Sequence, residues 1–357
     1  MKDPKNWTKD DLHQNLQQAI DVEFWTIPLY LTALYSIKDL PAKQQDYPVA
    51  AKLVEAVVIQ EMLHLELACN LANALGYTPR FTAPIYDTGN KIPFIQPPKQ
   101  AIPADLRGYE VKLGPLDENQ LKLFCVIELP EQKGPHDWAG QSEYRSIGEL
   151  YDAIELGIEH LWDQCFVGQA LNTRQKTSFT DYTKKAQVHI GFSQPVTSLK
   201  TAKEACRAIV EEGEGADAGR VAIAYEPPTQ QDPNDYDAGW FEPSVSHYHK
   251  FRFVLKNKQH IPDRYPLIIP VDPGDDTALQ QTLAQQALDQ RFLLLLMELT
   301  NCFSQAGQMT DWFWPVMWGM TTSITDVWKS GAVPAFNSVR NWPDLIRVDR
   351  LYSGESP

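Results

Sequence analysis

The sequence predicts a mainly α protein, a bundle of long helices with irregular or short-strand insertions. Three observations carry this. Apolar residues recur at helical spacing over long stretches, capping residues stand where those stretches begin, and strand signals are few. At 357 residues and 43% hydrophobic, the chain can bury a sizeable core.

The first helix starts after Thr8, a fitting N-cap, with Asp10 and Asp11 in its first turn where the helix dipole favours them. Leu12, Leu16, Ala19, Ile20, Ile27, Leu31 and Leu34 then form an apolar stripe toward Ile37. A second helix is predicted from Tyr47 to Leu75, with Gly76 as the residue that ends it. Two long helices joined by a short polar link read as an antiparallel hairpin. From Pro79 to Pro115 the chain is rich in proline and reads as an extended surface excursion with a strand or two. A short helix over Asp117–Glu128, a loop to Arg145 and a third long helix over Ile147–Phe166, capped by Ser146, follow. Residues 173–198 read as strand and turn, with the best strand at 187–192. Next come a helix over Lys200–Glu214, a long loop rich in Gly, Pro and Asp at 215–243, and a helix over Ser244–Lys258. Two helices at about 276–306 and 310–329 complete the pattern. Residues 1–260 are therefore expected to form one domain with insertions at about 79–145 and 215–243. Residues 261–357 are expected to add packing helices to the same compact unit.

Charge narrows the function. The net charge is −14 and no basic run exists, which argues against a nucleic-acid partner. The longest purely apolar run, Phe292–Met297, is far short of the roughly 20 residues of a membrane span. The N-terminal residues contain no stretch resembling a signal peptide, so a cytoplasmic location is expected. The five cysteines, Cys69, Cys125, Cys165, Cys206 and Cys302, are scattered without a CxxC pair. They read as buried free thiols in a reducing compartment.

Carboxylates on apolar helix faces point to the chemistry, because charged side chains are rarely buried unless paired or bound to metal. Glu23 follows Leu16 by seven residues, Ala19 by four and Ile20 by three, so it faces the core. Pro28, inside the same helix, clashes with the carbonyl of Phe24 and should kink it. Glu61 lies on the stripe of Val54, Val57 and Val58, and His64 follows one turn later. A Glu on one helix and a Glu-x-x-His on the next is the pattern of carboxylate-bridged two-metal bundles. In the second half, Glu211 and Glu214 can share a face, while Glu212 lies on the stripe of Ala205 and Ile209. Periodicity alone does not choose among the three. His247 shares a face with Phe251, and His249 falls off it. Glu155, Glu159, His160 and Glu128 are weaker candidates, most of them explained by solvated positions.

Four segments together resemble a known family: EFWTIPLYLTALYSI at 23–37, EMLHLELACNLANALG at 61–76, VEEGEG at 210–215 and SHYHKF at 246–251. They are similar to a bacterial ferritin-like family named after the iminophenyl-pyruvate dimer synthases of bis-indole pigment pathways, over about residues 10–258. The resemblance implies a ferritin-like four-helix bundle with a metal pair. It favours Glu211 and Glu214 over Glu212, and His247 over His249. The implied ligand set is Glu23, Glu61, His64, Glu211, Glu214 and His247. The implied cofactor is two iron ions, with manganese or zinc as substitutes. The expected activity is an O₂- or peroxide-dependent oxidoreductase of secondary metabolism, acting on a small aromatic or amino-acid-derived substrate. The competing expectation is a non-catalytic metal-binding, storage or scaffold protein. The expected partner is a small-molecule substrate, with no nucleic acid and no membrane, and self-association into a homo-oligomer is left open.

Overall fold

The computed structural model describes residues 1–43, 46–86, 91–130, 136–168, 173–177, 195–213, 245–306 and 313–336. Among these the architecture is helical, and only isolated β-bridges occur. Helix α1 spans Lys9–Leu34 and opens with a capping box. The Thr8 hydroxyl accepts from the Asp11 backbone N–H at 3.3 Å, and the Asp11 carboxylate accepts from the Thr8 N–H at 2.6 Å. The helix continues through Pro28. In that turn the Tyr86 hydroxyl donates to the Trp25 carbonyl at 2.8 Å. Helix α2 spans Val49–Ala74. It begins two residues later than its apolar pattern suggests, because Pro48 disfavours helical backbone at Tyr47. It ends where Gly76 takes φ +76°, a conformation suited to glycine.

The other helices are α3 (Glu118–Ile127), α4 (Ile147–Cys165), α5 (Leu199–Gly213), α6 (His247–Lys256), α7 (Asp276–Ser304) and α8 (Phe313–Lys329). Asp117 and Ser146 cap α3 and α4 through side-chain acceptors. Ser246, rather than Ser244, caps α6, so that helix starts at His247. The expected strand in the proline-rich excursion is replaced by single bridges, Ile92–Ile95 and Ile95–Tyr144. Proline lacks the N–H that a ladder requires, which keeps this stretch irregular. The strand expected at 187–192 lies outside the described residues, as does the loop at 215–243.

α1 and α2 pair along their lengths, α4 packs on α1 and α5, and both α5 and α6 pack on α2. α3 closes the ring against α6. The amphipathic stripes of these helices all face one core. Outside it, α7 and α8 form a pair. Phe292 of α7 stacks on Phe24, with centroids 6.0 Å apart. Trp328 of α8 is fully buried and donates to the Thr32 carbonyl at the end of α1, at 2.9 Å. All five cysteines are buried free thiols. No helix among the described residues is long and apolar enough to cross a membrane.

Candidate metal centre

The inward stripes of the bundle meet at a buried cluster of acids and imidazoles. α1 contributes Glu23, α2 contributes Glu61 and His64, the C-cap of α3 contributes Glu128, the last turn of α5 contributes Glu212, and the first turn of α6 contributes His247. All are buried. Glu61 sits at the middle. Its Oε1 lies 2.8 Å from His247 Nδ1 and 3.9 Å from His64 Nδ1. His64 Nδ1 is also 3.7 Å from Glu23 Oε2, and His247 Nδ1 is 3.6 Å from Glu128 Oε2. The two rings stack with centroids 5.2 Å apart. Ligand atoms of Glu61, His64 and His247 all lie within 4.8 Å of one another.

Hydroxyls hold the acids in place. Tyr151 on α4 donates to Glu23 Oε1 at 2.8 Å, and Tyr30 on α1 donates to Glu128 Oε1 at 2.6 Å. Burial and the adjoining carboxylates raise both phenols well above their ordinary range, so both remain donors. The Thr26 hydroxyl lies 2.6 Å from Glu61 Oε2. Gly213 leaves room for Glu128, since a Cβ there would stand 3.2 Å from Glu128 Oε2.

The electrostatics are those of a site built for cations. Burial, reinforced by Glu61, pushes the Glu23 carboxyl up to about 8. Burial, reinforced by Glu128, pushes Glu61 up to about 8 as well. Burial acts to lower His64, but its hydrogen bond to Glu212 and the charges of Glu61 and Glu23 raise it overall. Burial holds His247 below the usual imidazole range. That shift favours the neutral imidazole, the form that binds metal. Its Nδ1 has only the carboxylates of Glu61 and Glu128 beside it, and its Nε2 has no hydrogen-bond partner among the described residues. A buried imidazole in that condition is costly unless a ligand satisfies it. The donor set of carboxylates and imidazoles without thiolate suits iron, manganese or zinc. The residues present therefore fit a metal ion held by carboxylates and imidazoles.

His64 uses its two nitrogens differently. Nδ1 faces Glu23 and Glu61, whereas Nε2 lies 3.2 Å from Glu212 Oε2. A proton on Nε2, held by Glu212, leaves the Nδ1 lone pair aimed at the cluster. That is the outer carboxylate arrangement common behind metal-binding histidines.

Of the sequence-predicted residues, Glu23, Glu61, His64 and His247 come together. Glu211 does not. It is exposed on α5, and Glu212, on the stripe of Ala205 and Ile209, takes the inward position. Glu214 lies outside the described residues. Glu128, weighed as a solvated helix end, is buried beside His247. Glu155 lies away from the cluster, paired with Lys203 and Arg207. His249 turns back to the Ser246 hydroxyl at 2.8 Å. Gln60 and Lys250, both buried in the cluster wall, were not anticipated. The signal for Lys250 was present, because it stands one turn after His247 on the face that carries Phe251 and Val254.

A helical bundle that buries carboxylates and histidines from several helices around one point is the architecture of ferritin-like bundles. A family model described as ferritin-like matches residues 16–256, and the chain belongs to the ferritin-like family. The crystal structure of a ferritin-like protein from Caulobacter vibrioides is similar, with 31% sequence identity and a TM-score of 0.71, covering 93% of this chain and 99% of that one. No curated protein matches the sequence.

Proposed function

We propose that the protein is a di-metal, iron-using carboxylate oxidoreductase that acts with O₂ or peroxide on a small aromatic or amino-acid-derived substrate. The observation that carries the reading is His247, a fully buried imidazole whose Nδ1 stands 2.8 Å from the central Glu61 carboxylate and whose Nε2 has no hydrogen-bond partner among the described residues. In this reading Glu23, Glu61 and His64 would hold one ion, and Glu61, Glu128 and His247 the other. Iron held there would supply the redox chemistry. The chain supplies the rest. Burial excludes bulk water. Tyr151, Tyr30 and Thr26 fix the carboxylates of Glu23, Glu128 and Glu61 on rigid helices. Burial makes Glu23 and Glu61 hold their protons more strongly than ordinary carboxyls, and a bound cation would favour their ionised form. The substrate class rests on the resemblance to the iminophenyl-pyruvate dimer synthase group.

The test is elemental analysis of protein loaded anaerobically with ferrous iron, followed by oxygen consumption. The expected result is about two ions per chain and oxygen uptake faster than by free ferrous ion. A stoichiometry near zero for iron, manganese and zinc alike sinks the metal reading. Two ions with no accelerated uptake, with or without candidate aromatic substrates, sinks the oxidase reading and leaves metal binding.

A further inference from the structure

Lys250 is the one lysine in the wall of the cluster among the described residues, and it is fully buried. Isolated buried ammonium groups are very costly, so its contacts must offset that cost. Its Nζ donates to the side-chain carbonyl of Gln60, itself buried. An ammonium has only donors, so the Gln60 atom that faces it is the oxygen. That choice fixes the amide. Its NH₂ is turned the other way and donates to Glu212 Oε2 at 3.3 Å. The same oxygen lies 3.2 Å from His64 Nε2. Lys250, Gln60, Glu212 and His64 thus form one directed chain from α6 through α2 and α5 and back to α2.

We propose that Lys250 is a positioning residue: acting through Gln60, it orients Glu212, which in turn presents His64 Nδ1 to the ion shared with Glu23 and Glu61. This rests on the metal reading above and adds a direction to it. The relay reaches the ion that His64 would hold. Partners behind a metal-binding histidine set affinity by roughly 10–100-fold. A mere charge effect has the opposite sign, because removing a nearby ammonium would tighten both cations.

The test uses cobalt(II), whose visible bands report ligand geometry, titrated into the metal-free protein. Wild type is expected to take up two ions. Lys250→Met and Gln60→Leu should each weaken cobalt binding by roughly 10–100-fold and alter the bands of the ion that His64 would hold. The double variant should be no worse than either single one, since both break the same chain. Wild-type affinity and spectrum in Lys250→Met, or tighter binding of both ions, overturns the relay. If Lys250→Met does not fold, Gln60→Leu decides alone, and two wild-type ions in it overturn the relay. A wild type that binds no cobalt overturns the metal reading, and the relay with it.

Discussion

At the scale of single residues, the site is a set of acids kept from water and aimed at one another. Glu61→Ala and His64→Ala are each expected to weaken metal binding. Without metal, Glu61→Ala removes an acid that pushes up Glu23, so its metal-free fold should be as stable as wild type or more so. His64→Ala removes the group that offsets Glu23, Glu61 and Glu212, so its metal-free fold should be less stable. Metal titration and thermal melts with chelator check both halves, and a large loss of metal-free stability in Glu61→Ala would show that Glu61 is structural. The pH dependence follows from Glu23 and Glu61. Both are held up to about 8 from an ordinary 4.5. Between those values the folded metal-free protein keeps protons that the unfolded chain has released. Their contribution to stability is therefore complete below 4.5 and is lost as pH rises through about 8. Melting temperatures of the metal-free protein should fall across that window, and metal should flatten the fall. What could be read from the sequence divides along the same line. Glu23, Glu61 and His64 sit mid-helix, where a long apolar stripe on either side fixes their direction. Glu128 caps a helix of 10 residues, too short for its period to say which way the last side chain turns. Glu212 was on an apolar stripe, yet two neighbouring acids competed with it until the end of α5 was seen. Lys250 was passed over because a lysine in a helix ordinarily reaches solvent.

At the scale of elements, local chemistry sets the helix ends and the close approaches. Thr8→Ala removes the reciprocal cap of α1 and should cost about 1 kcal/mol, read as a shifted urea midpoint with an unchanged slope. Gly157, in the middle of α4, faces Trp7. A Cβ there would come within 2.3 Å of the indole. Gly157→Ala forces the buried Trp7 to move and should cost roughly 1–3 kcal/mol, measured in the same way. Caps such as Thr8 and Ser146 were legible because a small polar residue stood directly before an apolar period. The start of α6 was less so, since Ser244 and Ser246 both qualify. Its position follows from the Ser246 side chain accepting from the His249 N–H.

At the scale of the whole molecule, five helices converge on one cluster, so on the proposed reading metal binding would be coupled to folding. A ligand that binds only the folded state stabilises it by RT ln(1 + [L]/Kd), about 4 kcal/mol at a thousandfold excess over Kd. Ferrous or cobalt loading is therefore expected to raise the melting temperature by several degrees, reversed by chelator. Scanning fluorimetry checks this, and an unchanged melt at saturating metal would break the link. The mainly α class was legible because long helical periods leave little ambiguity. The pairing of α7 with α8 was not, since two apolar helices do not announce which surface they will cover.

The positions of the candidate ligands, from Glu23 to His247, also bear on how the protein is made. A ribosome delivers the hairpin carrying Glu23, Glu61 and His64 while most of the chain is still unmade, and α6 arrives some 180 residues after His64. Until then the early acids have no His247 opposite them and no Lys250 behind. On the proposed reading, metal acquisition would belong to the late stage of synthesis, and a chain arrested before residue 247 would hold ligands for one ion at most.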